Sequence, residues 1–215
     1  LRGSGIPLTV HMRQEGSGVV AALEEMLTVA RALQTPLEIS HLKAIGRVNW
    51  RAAVPQMLAM MESAREDGVD VACDVYPYTA GSTQLIHVLP PECQTGGLEQ
   101  LSERLGDAAF RAQLRERMQT GEDFENISLL AGWENIRIAA LAGAEDQKYV
   151  GQSIAALAEK EGKDPFDALF DLLAREHCAV TMIDEIACED DLEAILRDGH
   201  SSIISDSIYP GSGLC

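Results

Sequence analysis

Short apolar segments that alternate with amphipathic helical segments constrain the fold of this chain most strongly. Residues 7–12 form an apolar, β-branched run, and apolar residues then recur at helical spacing over residues 19–33. A second short strand fits residues 36–41, a second helix fits residues 52–67, and a third strand fits residues 69–76. Because strand, helix and strand in this order form parallel βαβ units, the sequence predicts an α/β fold.

The alternation is interrupted in the middle of the chain. Residues 97–120 form a charged segment with helical spacing, and residues 152–176 predict two further helices, the second of which Asp164 can cap. A strand fits residues 136–141 between these segments. We therefore predict that this middle part is a mainly helical insertion or small lobe.

Strands and helices alternate again towards the C-terminus. A strand fits residues 179–183, a helix fits residues 190–197, and a last strand fits residues 202–205. We expect these elements to complete the barrel-type α/β domain that the first three strands begin. The predicted boundaries are 1–91 for the first barrel units, 92–178 for the insertion and 179–215 for the final barrel strands.

Composition excludes some partners and suggests a compartment. A net charge of −17 argues against binding to nucleic acid or to an anionic membrane surface. No apolar run approaches the roughly 20 residues of a membrane span, and the five cysteines include no CxxC pair, which is typical of reduced thiols in a cytoplasmic protein. Because the chain starts at Leu1 and stops soon after a strand, we expect it to be a piece of a longer protein.

Polar side chains follow several of the predicted strands. His11, His41 and Asp206 each stand at a strand end, and the two histidines lie 30 residues apart (41 minus 11), about one βα unit. Since the C-terminal ends of parallel strands converge on one site, both imidazoles should face the same space. Neutral imidazole is a good Zn²⁺ ligand, and a nearby carboxylate can hold a second ion or accept a proton from water. A buried structural histidine and a turn-capping aspartate are the alternatives.

Four motifs around these residues resemble one enzyme family. They are His-Met-Arg at 11–13, Ser-His-Leu-Lys at 40–43, Asp-Val-Tyr-Pro-Tyr-Thr-Ala-Gly-Ser-Thr at 74–83 and Ser-Asp at 205–206. Together they are similar to the N-acyl-D-amino-acid deacylases (D-aminoacylases) of the amidohydrolase superfamily. The resemblance implies zinc-dependent hydrolysis of the acyl amide of N-acyl-D-amino acids on a (β/α)8 TIM-type barrel, of which this chain would supply about strands five to eight.

The resemblance also implies roles for individual residues. His11 and His41 would bind the tightly held zinc, and Asp206 would act as general base and as a ligand at a second, weaker metal position. Lys43, together with Tyr76 or Tyr78, would bind the α-carboxylate of the substrate. The first-strand His-x-His motif and the metal-binding cysteine of this family are absent from the chain. We therefore expect the isolated chain to be inactive and to bind zinc weakly.

Other functions remain open at this stage. A hydrolase of cyclic amides, such as a dihydroorotase or a hydantoinase, would use a similar metal site, although the Tyr-Pro-Tyr segment argues against it. A non-catalytic binding or assembly module is the alternative from a different class. Because a partial barrel leaves open sheet edges and an uncovered apolar face, we expect the chain to form a homodimer or to cover that face with its helical lobe.

Overall fold

The computed structural model describes residues 5–121 and 123–207, and these residues form two compact units. The first unit comprises the described residues up to Thr79 together with Ile186–Asp206, and the second comprises the described part of Ala80–Glu185 and Ser207. Every helix within the described ranges is too short or too polar to cross a bilayer.

Strands and helices alternate in the first unit, whereas the second unit is richer in helices. In chain order the strands are β1 (Leu8–Val10), β2 (Leu37–Ile39), β3 (Val71–Val75), β4 (Ala80–Gln84), β5 (Ile136–Leu141), β6 (Val180–Glu185) and β7 (Ser201–Ile203). The α-helices are α1 (Val19–Leu33), α2 (Ala53–Glu66), α3 (Leu98–Arg104), α4 (Ala108–Thr120), α5 (Ile127–Ala131), α6 (Ile154–Glu161), α7 (Pro165–Arg175) and α8 (Glu189–Arg197). Short 3-10 turns occupy Leu85–Val88, Pro91–Gln94, Trp133–Asn135 and Gln147–Tyr149.

The first unit is built on a parallel four-stranded sheet in the order β1-β2-β3-β7. Leu37 and Ile39 of β2 are buried, whereas Glu38 between them is only partly buried, because alternate residues of a strand point to opposite faces. Leu23 of α1 and Met57 of α2 lie in the same apolar core as these strand residues. The α/β prediction is confirmed, and the strands are shorter than the sequence predicted.

The edges of this sheet stay open within the part of the chain that the structure describes. Strands β1 and β7 each have one neighbour, and the described residues form no closed barrel. Helix α8 contributes Ile195 to the core of the first unit. The first unit therefore has four parallel strands with the helices α1, α2 and α8, and the partial barrel stays a prediction.

The second unit combines helices with a small antiparallel sheet in the order β4-β6-β5. Residues 179–183 were expected to form a barrel strand, and this expectation is wrong. Strand β6 instead pairs antiparallel with β4, through Ala80 opposite Glu185, and with β5, through Ile136 opposite Asp184. The sequence of β6 predicts a strand, and its residues alternate between buried and partly buried in the structure. The sequence does not specify which strands β6 pairs with, because pairing depends on long-range contacts.

Helix caps divide the predicted helical segments of the second unit. The segment at 97–120 forms two helices, because the carboxylate of Asp107 accepts a hydrogen bond from the Phe110 amide (2.7 Å) and starts α4. The predicted cap at Asp164 is confirmed, since its carboxylate accepts from the Phe166 amide (2.9 Å) and Pro165 occupies the first turn of α7.

Candidate metal centre

His11 and His41 are brought together by two neighbouring parallel strands. Val10, the last residue of β1, pairs with Ile39, the last residue of β2. The residues that follow therefore lie together at the C-terminal end of these strands. The Nδ1 atom of His11 lies 2.8 Å from the Nε2 atom of His41, and the two ring centroids are 4.7 Å apart at an angle of 73°. Two imidazole nitrogens therefore face each other at the C-terminal ends of the strands, as the sequence predicted.

The backbone at His41 adopts a conformation that needs support from its neighbours. His41 has a φ of 40°, in the left-handed region, which costs a residue with a side chain about 1–2 kcal/mol. The carboxylate of Asp74, at the end of β3, accepts a hydrogen bond from the His41 amide, and the Asp74 carbonyl accepts one from the Leu42 amide (2.9 Å). The Ser40 amide donates to the carbonyl of Val10 (2.9 Å). These bonds to β1 and β3 fix the turn that carries His41.

A buried ion pair lies beside the His41 ring. The carboxylate oxygen Oε1 of Glu15 is 2.6 Å from Nζ of Lys43 and 3.1 Å from Nδ1 of His41. The Lys43 ammonium also lies 2.9 Å from Nδ1 of His41 and donates to the His41 carbonyl (3.2 Å). The side chains of Glu15 and Lys43 are only 5% and 10% exposed, so this pair is part of the interior of the first unit.

Burial, hydrogen bonds and neighbouring charges shift the pKa values of Glu15 and His11. Burial raises the pKa of Glu15, but its hydrogen bonds to His41 and Lys43 and the Lys43 charge outweigh burial and hold this pKa below its usual value. His11 is exposed as a residue, yet partial desolvation of its ring lowers its pKa, with a smaller opposing contribution from Glu15. Both shifts favour an ionised carboxylate and a neutral imidazole at neutral pH, the forms that bind metals.

The donor group formed by His11, Glu15 and His41 fits a divalent transition metal. One ligand atom from each of these residues lies within 4.8 Å of the others. Two imidazoles and one carboxylate form a donor set found in catalytic zinc sites. The chemistry of the residues present therefore agrees with the metal that the sequence motifs imply, and the assignment of His11 and His41 as ligands stays a prediction.

The other predicted site residues lie at different depths in the first unit. Tyr76 is buried, with its ring centroid 5.7 Å from the Lys43 ammonium, whereas Tyr78 is 59% exposed. Lys43 and both tyrosines line one small cavity of about 10 Å³, enough for roughly one water molecule. Asp206 is exposed, has a φ of 46° and lies outside the donor group, although its charge acts to raise the pKa of His11.

Sequence reasoning missed Glu15. It lies four residues after His11, in the loop that follows β1, and no periodic pattern marks it. The available signal was a carboxylate in a loop at the C-terminal end of a strand, which is where site residues of parallel α/β folds occur. Asp74 entered the sequence analysis only as the first residue of the motif at 74–83, and its contact with the His41 amide depends on the adjacent pairing of β2 and β3.

Two curated proteins from Alcaligenes xylosoxydans xylosoxydans are similar to this chain. A D-aminoacylase is 47% identical over 78 residues, which is 35% of this chain and 15% of the relative. An N-acyl-D-glutamate deacylase is 36% identical over 121 residues, which is 50% of this chain and 25% of the relative. The matches thus span a quarter or less of the relatives' length. No family model matches the chain.

Solved structures of an N-acyl-D-glutamate deacylase and a D-aminoacylase are similar in fold to this chain. The N-acyl-D-glutamate deacylase of Bordetella bronchiseptica, complexed with zinc and a phosphonate inhibitor, is 27% identical with a TM-score of 0.63, covering 92% of this chain and 32% of that protein. A D-aminoacylase structure that concerns a binuclear metal centre is 25% identical with a TM-score of 0.62, covering 93% of this chain and 32% of that protein.

The sequence and the fold of this chain are both similar to those of enzymes from the amidohydrolase family. Within that family its homologues are D-aminoacylase and N-acyl-D-glutamate deacylase, as the motifs predicted. Each comparison covers about a third of the relative's length or less.

Proposed function

We propose that this chain forms part of the active site of a zinc-dependent amidohydrolase that cleaves the acyl amide of N-acyl-D-amino acids. The observation that supports this proposal best is the 2.8 Å approach of His11 Nδ1 and His41 Nε2 at the ends of two adjacent parallel strands. The similarity of the chain to a D-aminoacylase and an N-acyl-D-glutamate deacylase supports the proposed reaction. In the whole enzyme, the four parallel strands would be one part of a (β/α)8 barrel.

The residues of the chain would divide the chemistry between them. His11 and His41 would hold the metal, which when bound polarises the amide carbonyl and lowers the pKa of a water molecule. Asp206 follows β7 at the C-terminal end of the strands, where the histidines also lie, because all four strands are parallel. Its exposed carboxylate can accept the proton that the attacking water loses and deliver it to the leaving nitrogen.

Substrate recognition would depend on the cavity beside the donor group. The Lys43 ammonium and the residues Tyr76 and Tyr78 line the same cavity. An ammonium and two phenolic hydroxyls are suitable donors for a carboxylate, and hydrogen bonds to a charged group are stronger than neutral ones. We propose that this set binds the α-carboxylate of an N-acyl-D-amino acid after the side chains open the cavity.

Calorimetric titration of the 215-residue chain with Zn²⁺ tests the metal site. Because two imidazoles are fewer than the three protein ligands usual for catalytic zinc, we expect weak binding, with a Kd above about 1 μM. His11→Ala and His41→Ala should each abolish the heat of binding. His200→Ala is the matched control, since His200 is exposed and precedes β7 at the N-terminal end of the strands, opposite the histidine site. Stoichiometric zinc retained in both site variants would disprove the proposed ligands.

A substrate panel tests the proposed reaction in the whole enzyme. N-acetyl-D-amino acids should be hydrolysed, whereas N-acetyl-L-amino acids, hydantoins and dihydroorotate should not. Preferential turnover of hydantoins or dihydroorotate would replace this proposal with a cyclic-amide hydrolase that uses the same histidines.

A further inference from the structure

The two ring nitrogens of His41 have different surroundings. Nε2 faces His11, whereas Nδ1 faces Oε1 of Glu15 at 3.1 Å and Nζ of Lys43 at 2.9 Å. A neutral imidazole that uses the lone pair of Nε2 for a metal carries its proton on Nδ1, and that proton needs an acceptor. The Lys43 ammonium has only donors, so of these two groups the Glu15 carboxylate is the one that can accept the proton.

We propose that Glu15 is the positioning residue for His41: its carboxylate accepts a hydrogen bond from Nδ1–H and thereby presents Nε2 to the metal site. This inference rests on the proposed function, because it assigns His41 as a ligand. Carboxylate–histidine pairs of this kind fix the tautomer and the ring orientation of metal-binding histidines. Glu15 thus acts through His41 and does not itself need to bind the ion.

The contacts of Glu15 separate positioning from direct ligation. Its Oε1 atom lies on the Nδ1 side of the His41 ring and is already 2.6 Å from the Lys43 ammonium. The nitrogens that face each other for a metal, His11 Nδ1 and His41 Nε2, lie on the other side of that ring. A carboxylate that contacts Lys43 and Nδ1 is therefore placed to orient the His41 ring from the side opposite the metal site.

Backbone contacts hold Glu15 and His41 in this arrangement. The Ile45 amide donates to the Glu15 carbonyl (2.7 Å), which joins the loop after β1 to the loop after β2. The Asp74 carboxylate, at the end of β3, accepts a hydrogen bond from the His41 amide. Because both residues are fixed at the backbone, the side-chain pair is organised before any metal binds.

The tautomer of His41 in the metal-free chain gives a direct readout. Long-range ¹H–¹⁵N correlation spectra distinguish protonated from unprotonated ring nitrogens. In the unsubstituted chain the proton should reside on Nδ1 of His41. Glu15→Leu should shift the population towards the Nε2-protonated form, whereas Glu15→Gln should keep the Nδ1–H form, because its amide oxygen can still accept.

Zinc affinity, measured by competition with a chelating dye, gives the second readout. Glu15→Leu should weaken zinc binding about 10- to 100-fold, the range for loss of such orienting groups, and Glu15→Gln should recover most of this loss. Glu25→Gln is the matched control, since Glu25 lies on α1 of the same unit, pairs with Arg13 (2.8 Å) and is not among the described contacts of His41. This control should leave the affinity unchanged.

Several outcomes would overturn the inference. If Glu15→Leu leaves both the tautomer and the zinc affinity unchanged, Glu15 does not position His41. If Glu15→Gln loses as much affinity as Glu15→Leu, and the Co²⁺ spectrum of the variants shows a lost ligand, Glu15 is a direct ligand instead. If Glu15→Leu fails to fold because Lys43 is left buried, the double variant Glu15→Leu/Lys43→Met supplies an apolar pair for the same tautomer measurement.

The two proposals fail in distinguishable ways. A chain that binds no zinc, or whose zinc binding survives His11→Ala and His41→Ala, contradicts the proposed metal site. The His41 tautomer is measured without metal, so it decides the role of Glu15 in either case. An Nε2-protonated His41 in the unsubstituted chain would refute the positioning role even where zinc binds.

Discussion

Replacing Lys43 with Met should destabilise the first unit far more than replacing an exposed cation. The substitution keeps the length of the side chain but removes the ammonium that contacts Glu15 Oε1 at 2.6 Å and the His41 carbonyl at 3.2 Å. Because the Glu15 side chain is 5% exposed, its charge then remains buried without its cationic partner. Breaking a buried pair from one side costs about 3–5 kcal/mol, and we expect a loss of unfolding free energy in this range at pH 7.5.

The pH dependence of this loss has a definite sign. In the unsubstituted chain the pKa of Glu15 is held below its unfolded value, so the stability that this carboxylate contributes is present above the unfolded pKa and is lost as pH falls through the folded pKa. In Lys43→Met, burial should dominate and raise the pKa of Glu15 above its unfolded value. Protonation then relieves the penalty, so the stability difference between the two proteins should shrink as pH falls from 7.5 towards 5.

Urea unfolding followed by tryptophan fluorescence measures this effect in the first unit alone. Trp50 lies in the first unit, where its Nε1 donates to the Ile186 carbonyl (3.0 Å), and the other tryptophan, Trp133, lies in the second unit. A Trp133→Phe background therefore leaves one reporter, and a chelator keeps the chain metal-free.

Two further variants control the interpretation. Arg31→Met removes a cation that is 38% exposed and lies 3.6 Å from Glu24, so it should change stability by less than about 1 kcal/mol. Glu15→Leu/Lys43→Met removes both buried charges and should regain most of the loss. Lys43→Met could lose no more unfolding free energy than Arg31→Met, or its loss could grow as pH falls. Either result would show that the buried pair of Glu15 and Lys43 does not stabilise the first unit as argued.

Two further predictions concern the whole enzyme. Asp206→Asn should lower kcat by roughly 10²- to 10⁴-fold, because an amide cannot accept the proton, while metal analysis should show the histidine-bound zinc retained; near-normal turnover would make Asp206 a structural residue. Tyr78→Phe should raise KM for N-acyl-D-amino acids more than for the matching uncharged amides, since the lost hydroxyl would contact only the carboxylate. Equal effects on both substrate types would exclude Tyr78 from carboxylate recognition.

Periodicity predicted the helices of the first unit because their apolar faces repeat in the sequence. Helix α1 begins at Val19 and ends at Leu33, the bounds that the spacing indicates, and α2 differs from its prediction by one residue at each end. The cap at Asp164 was also readable, since an aspartate before Pro165 satisfies local amide groups whatever the tertiary contacts are.

The facing of His11 and His41 was predictable for a topological reason. Parallel strands joined by one helix place their C-terminal ends side by side, so residues at equivalent strand ends become neighbours. Motif resemblance then gave these histidines their chemical interpretation as metal ligands, which stays a prediction. The roles of Lys43, Tyr76, Tyr78 and Asp206 stay predictions.

Contacts between distant segments were decided only by the tertiary structure. The sequence specifies that residues 7–12, 36–41 and 179–183 have strand character, because that depends on local alternation and β-branched side chains. It does not specify that β6 pairs with β4 and β5, or that Glu15 meets Lys43 and His41 in the interior. Hydrogen bonding and charge pairing act over a few ångströms in space, and which residues come that close depends on the packing of the whole unit.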